Sequence, residues 1–219
     1  MDKQLLSKTR QHLEHDTCYG SFYKAYDKHG WIAKAWIIVE QKPDGRVKWI
    51  PSGTLAVRKK SFDDINGFNE ALQVEEDEDF CYRIRNNNGT IFNDSSIASA
   101  HLGQANTLSQ FFRKEAWRGR SLVKPLKSLF KHKLSAFDLM VFFYLFLLIA
   151  LILSLLTGNQ VVAISAAVML IAIPALLTVR IARRSGKLER LFQIFLLHNV
   201  FLMARAWSVI KYKQYKQLF

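Results

Sequence analysis

Residues 75–83, Glu-Glu-Asp-Glu-Asp-Phe-Cys-Tyr-Arg, crowd carboxylates at the opening of an apolar-spaced run. A helix starting near Glu76 puts Asp77 on the side of Cys81 and Ile84, and sets Asp79 one turn from Arg83 on the opposite side. The two aspartates then have different work. Asp79 reads as a structural partner of Arg83. Asp77 faces inward in the first turn, where unpaired backbone N–H groups favour a carboxylate, so it can stay ionised and accept a proton from a substrate hydroxyl. A solvated acidic helix start fits the spacing equally well, and the surrounding residues have to decide between the two.

Pro51-Ser52-Gly53-Thr54 is a turn between short strands expected at 47–50 and 55–58. Residues 61–65 open a short helix that Gly67 stops, and Asn86-Asn87-Asn88-Gly89 ends the Asp77 helix on a left-handed residue. Residues 3–14 read as helix, residues 31–40 as helix or strand, and Lys42-Pro43-Asp44-Gly45 as a turn. The two cysteines, Cys18 and Cys81, make no disulfide framework and read as reduced thiols. Nothing in residues 1–16 resembles a signal peptide.

Taken in order, Ser52-Gly53-Thr54, Arg58-Lys59, Gly67-Phe68-Asn69-Glu70, Glu76-Asp77-Glu78-Asp79, Arg83, Gly89, His101 and the Arg113–Ser121 segment resemble family-2 glycosyltransferases. The match covers residues 48 to about 121. It implies a partial GT-A-like mixed domain, and with the apolar segments read below the expected class is α/β, that partial domain being followed by an α-helical membrane hairpin and an interfacial C-terminal helix. By resemblance, Asp77 is the general base of an inverting transfer, Ser52, Gly53, Thr54 and Glu76 line the acceptor side, His101 is a ligand of a divalent cation (Mg or Mn), and Arg113, Arg118 and Arg120 hold the donor diphosphate. Such a diphosphate leaves with developing charge that guanidinium forks or a cation must meet. Gln110-Phe111-Phe112-Arg113-Lys114 is similar to the Gln-x-x-Arg-Trp motif of processive synthases, with Lys114 in the Trp place. His101 also reads as a hydrogen-bonded structural residue, and Arg118 and Arg120 as a lipid-headgroup patch.

The resemblance implies a nucleotide-sugar donor, a glycan or lipid-linked acceptor and membrane lipids as partners. Residues 1–50 hold no Gly-rich βα turn and no Asp-x-Asp, so a separate N-terminal donor-binding half is expected to complete the enzyme. The alternative is a catalytically inactive, membrane-anchored remnant that binds a partner.

The charge is sharply divided. Of 31 Lys+Arg and 18 Asp+Glu, residues 111–219 carry 17 and 3, so the whole +13 excess lies in the second half. There it flanks apolar runs with no extended groove of interleaved aromatics, which argues for an anionic membrane surface and excludes a nucleic-acid reading. Residues 139–156 carry no charge and make ~27 Å of helix, enough to span a bilayer; residues 161–179 form a second run with Pro174 as an expected kink. Lys124, Lys127, Lys131 and Lys133 precede the pair, Arg180, Arg183, Arg184 and Lys187 follow it, and the turn at 157–160 is uncharged. The positive-inside rule then places the soluble part and both termini in the cytoplasm at the cell (inner) membrane. Residues 188–210 are interrupted by Gln193, His198, Asn199 and Arg205, and a buried Arg costs about 2.5–3.5 kcal/mol at a bilayer centre, so an interfacial helix is expected. The expected organisation is 1–122 glycosyltransferase part, 123–137 basic juxtamembrane linker, 138–180 hairpin and 181–219 interfacial helix and tail.

Overall fold

The computed structural model describes residues 3–122 and 135–211. The linker lysines and the part of the basic tail beyond Lys211 lie outside the described residues. The chain divides into two compact units, one formed by Met1–His29 and Ile37–Gln104, the other by Gly30–Trp36 and Ala105–Phe219.

In the first unit, α1 (Lys3–His15) leads into β1 (Cys18–Gly20). After the second half of α2 (Trp31–Glu40) come β2 (Gly45–Arg46), β3 (Leu55–Val57), α3 (Lys59–Asp64), α4 (Glu76–Asn86) and β4 (Ile91–Asn93). The sheet runs β2-β4-β1-β3, with β1 parallel to β4 and the other two pairs antiparallel. Residues 31–40 are therefore helix, and Ile37 and Ile38 of that run are buried. The strand expected at 47–50 is displaced to Gly45–Arg46. Gly45 takes φ +115, and the buried Asn93 Nδ2 donates to the carbonyls of Lys42 and Pro43, which fixes where the strand begins. Val47 still donates to the Ile91 carbonyl, but Ile50 then turns fully into the core.

That core joins Cys18, Phe22, Ile50, Phe80, Cys81, Ile84 and Ile91. α4 contributes Cys81 and Ile84, the face its spacing foretold, and Phe80 beside them. Its acidic first turn suits the N-terminal end of the helix dipole, and Glu75 enters it in the left-handed region at φ 63. At its far end Asn88 is left-handed at φ 59. On the opposite face Arg83 Nε donates to Asp79 at 2.8 Å while Nη1 donates to the carbonyls of Ile65 and Gly67. The pair thus ties α4 to the Gly67 turn, where Gly67 itself sits at φ +65.

The second unit holds α5 (Leu108–Arg118), opened by a Thr107/Gln110 capping box, and three long apolar helices. α6 (Ala136–Thr157) has its own capping box from Ser135 and Asp138 and stops at the left-handed Gly158. α7 (Gln160–Ser185) is capped by Asn159, runs through Pro174 and stops at the left-handed Gly186. α8 (Leu191–Ile210) follows. Val141, Tyr144, Leu147, Ala166, Leu170, Leu202 and Ala206 form their shared core. Outside it, Phe146, Leu156, Val161 and Leu176 of α6 and α7 are more than 60% exposed. An apolar outer surface of that extent, with backbone bonds closed inside each helix, suits hydrocarbon. All three helices are long and apolar enough to cross a membrane. The third was expected to lie at the interface, yet the polar groups that argued against a span have partners: Arg205 Nη2 donates to Glu115 at 3.0 Å, and His198 Nδ1 lies 2.9 Å from the Thr178 hydroxyl.

Candidate active site

The first unit brings Asp77 to the Ser52-Gly53-Thr54 turn. Asp77 is half-buried in the first turn of α4. Its carboxylate accepts the backbone N–H of Glu78 at 2.9 Å, and its own N–H and that of Ser52 lie near enough to favour its ionised form. Burial pushes its pKa above the ordinary carboxylate value and the neighbouring Glu76 adds to the rise, while the three N–H groups pull it back; the net direction is up. Desolvation disfavours the charged form and hydrogen bonds to it favour it, so the site holds a carboxylate that binds a proton more readily than a free one.

The turn itself is a single 3-10 turn, Ser52–Thr54, running into β3. The Thr54 hydroxyl donates to the Ser21 carbonyl, and a Cβ on Gly20 would overlap the Thr54 carbonyl oxygen, so β1 and the turn touch backbone to backbone. Ser52 and Gly53 are exposed. The Tyr23 hydroxyl lies against Gly53, where an added Cβ would collide with it, and the Tyr23 ring is 4.8 Å from that of His101. Asp77, the Ser52 turn, Tyr23 and His101 therefore form one chain of neighbours. Tyr23 was not singled out in the sequence; a lone aromatic in an irregular stretch carries no local signal. Glu76 is half-buried beside Asp77 and acts on it through its charge.

The three arginines belong to the second unit. Arg113 is exposed. Arg118 Nη1 donates to Glu115 at 3.0 Å, and the Arg120 guanidinium lies over the Trp117 ring at 4.3 Å. Glu115, which is 1% exposed, also receives Arg205. This buried carboxylate was missed in the sequence, though it is the one acid among the basic residues 113–120.

Among the described residues, no group of three His, Cys, Asp or Glu side chains could hold a metal ion. One imidazole is not a donor set for Mg or Mn, which take several oxygen ligands. The described residues do not by themselves fit a resident divalent cation. No known protein family, curated protein or solved structure matches this chain.

Proposed function

We propose that the chain is part of a membrane-bound inverting glycosyltransferase, with its first unit forming the acceptor side and Asp77 acting as general base. The observation that carries this reading is the Asp77 carboxylate held against the Ser52 turn, half-buried and raised in pKa by that burial. In the step proposed, the acceptor hydroxyl gives its proton to Asp77 as its oxygen attacks the anomeric carbon of a nucleotide sugar. The bond from that carbon to the diphosphate breaks on the opposite face, and the nucleoside diphosphate leaves. A base whose pKa has moved toward working pH takes the proton with less penalty. Tyr23, lying against Gly53 and His101, supplies a wall on which an acceptor sugar ring can rest. The resemblance assigns the nucleotide-binding half to a further segment or a separate chain.

The test is transfer from a panel of nucleotide sugars by the chain co-expressed with a family-2 donor-binding half. Asp77→Asn is expected to lower turnover by about 10²- to 10⁴-fold with donor binding intact, the range for loss of a general base. Asp79→Asn should instead lower thermal stability, since Asp79 holds Arg83. Full turnover in Asp77→Asn sinks the assignment.

For the membrane part, we propose that α6 and α7 cross and α8 lies along the interface, leaving both termini cytoplasmic. Besides the flanking charges, the packing of α8 supports this. Gly119, at the end of α5, fits against Arg205 and Ser208 so closely that a Cβ there would meet both. α5 exposes Arg113 to its surroundings, so the stretch of α8 beside it is held at a hydrated level. Lys211 over the Trp207 ring at 5.0 Å is a pairing suited to that level. Reporters at Asn159 and at the C-terminus should mark opposite sides; same-side reporters would mean that α8 crosses as well.

A further inference from the structure

A cavity of about 340 Å³ opens in the first unit, apart from Asp77. It lies at the carboxyl ends of the two parallel strands: Ser21 and Phe22 follow β1 directly, Asn93 ends β4, and Gly20 is paired with Asn93 across them. Strand carboxyl ends are where open α/β sheets leave room for ligands. We infer that this cavity is a second binding site, for a small anionic sugar such as a hexose phosphate.

Its walls are fixed in advance. Asn93 is 1% exposed; its Oδ1 accepts the Phe22 N–H at 3.2 Å, and its Nδ2 donates to the carbonyls of Lys42 and Pro43. One side chain thus ties together the three segments that line the space. Asp44 accepts the N–H of Ser95 at 2.7 Å and its hydroxyl at 2.8 Å, along with a longer contact from Asn93. A carboxylate offers about four acceptor positions, so Asp44 retains capacity for a ligand hydroxyl.

The lining chemistry selects the ligand. Lys24 and Lys42 are among the lining residues, and an ammonium on a flexible stem beside a cavity favours a phosphate or carboxylate. A bare anion would be repelled by Asp44, whereas a sugar hydroxyl would donate to it; Gln41 supplies an amide for a further hydroxyl and Phe22 an apolar edge. The volume is near the low end for ligand pockets. It suits one or two sugar rings, smaller than a nucleotide sugar.

The inference stands apart from the transfer reading, and a direct binding experiment separates them. The full chain in neutral detergent is titrated with glucose 6-phosphate, glucose and inorganic phosphate by calorimetry at low salt. Glucose 6-phosphate should bind at least about tenfold more tightly than either fragment, because only it engages both the ammonium groups and Asp44. Lys24→Ala/Lys42→Ala should weaken it by about tenfold or more, and Ala98→Leu, which fills the cavity from a buried wall position, should abolish binding. Asp77→Asn should leave binding unchanged. Equal affinity for inorganic phosphate overturns the sugar assignment. Absence of binding, or unchanged binding in both the double variant and Ala98→Leu, overturns the site.

Discussion

Glu115 offers the sharpest test of what holds the second unit together. Its carboxylate is 1% exposed and takes one guanidinium on each oxygen, Arg118 on Oε1 and Arg205 on Oε2, both at 3.0 Å. The two arginines are not equivalent. Arg118 is 35% exposed, so water competes for it and its pair is worth about 0–1 kcal/mol. Arg205 is 11% exposed and rests over the rings of Phe137 and Phe201. Removing Glu115 strands that second charge, and breaking a buried pair from one side costs about 3–5 kcal/mol. Glu115→Ala is therefore expected to destabilise by about 3 kcal/mol, Arg205→Ala by somewhat less because Arg118 still compensates Glu115, and Arg118→Ala by under about 1 kcal/mol. The double replacement Glu115→Leu/Arg205→Leu removes both charges and should recover most of the loss, since an apolar pair of similar volume is often as stable as a buried ion pair. Reversible urea unfolding in detergent, followed by tryptophan fluorescence, reports the effect; Trp36 packs on Phe111 of α5 at 4.7 Å and senses its release. The reasoning fails if Glu115→Ala lies within about 0.5 kcal/mol of the parent, or if the double leucine variant is worse than either single alanine.

Cys18 and Cys81 are fully buried, and burial pushes their thiols to about 12 and about 11; neither should react with iodoacetamide at pH 8 until denaturant opens the first unit, and rapid labelling of the native chain would contradict the packing. Gly20→Ala should cost about 1–3 kcal/mol because the Thr54 carbonyl cannot move away, whereas Gly53→Ala meets only the tip of the Tyr23 side chain and should leave the melting temperature nearly unchanged while weakening acceptor binding. Asp77 has a raised pKa in the fold, so its contribution to stability is present below the unfolded value and is lost as pH rises through the folded one. Asp77→Asn should accordingly be no less stable than the parent at pH 7–8, with any advantage shrinking as pH falls; a clear destabilisation at pH 8 would contradict the direction of the shift.

α4 was legible because its signals are local and agree: an acidic first turn, apolar residues at 80, 81 and 84, and a left-handed Asn at the end. The long apolar helices were legible for the same reason, down to the Gly158-Asn159 link. What escaped depends on distant partners. The strand expected at 47–50 begins earlier because Asn93 anchors the chain ahead of Gly45, a contact across 50 residues. Arg205 was recognised as an obstacle to burial, but its partner lies 90 residues away and no spacing rule connects them. Tyr23 joined the candidate site only once the sheet had placed Gly20 against Thr54.

Two of the inward-facing carboxylates among the described residues, Glu115 and Asp77, are treated by the fold in opposite ways. Glu115 has a guanidinium on each oxygen. Its charge is thus met by two cations where it is buried. Asp77 has no such partner among its described contacts, only backbone N–H groups, with Glu76 alongside to raise its energy further. Backbone donors orient a carboxylate without neutralising it, so the burden of burial stays on the ionised form and is relieved when a proton arrives. The first arrangement serves cohesion. The second leaves a carboxylate that takes up a proton more readily than a free one, and that contrast supports the base role we propose for Asp77 over the more deeply buried Glu115.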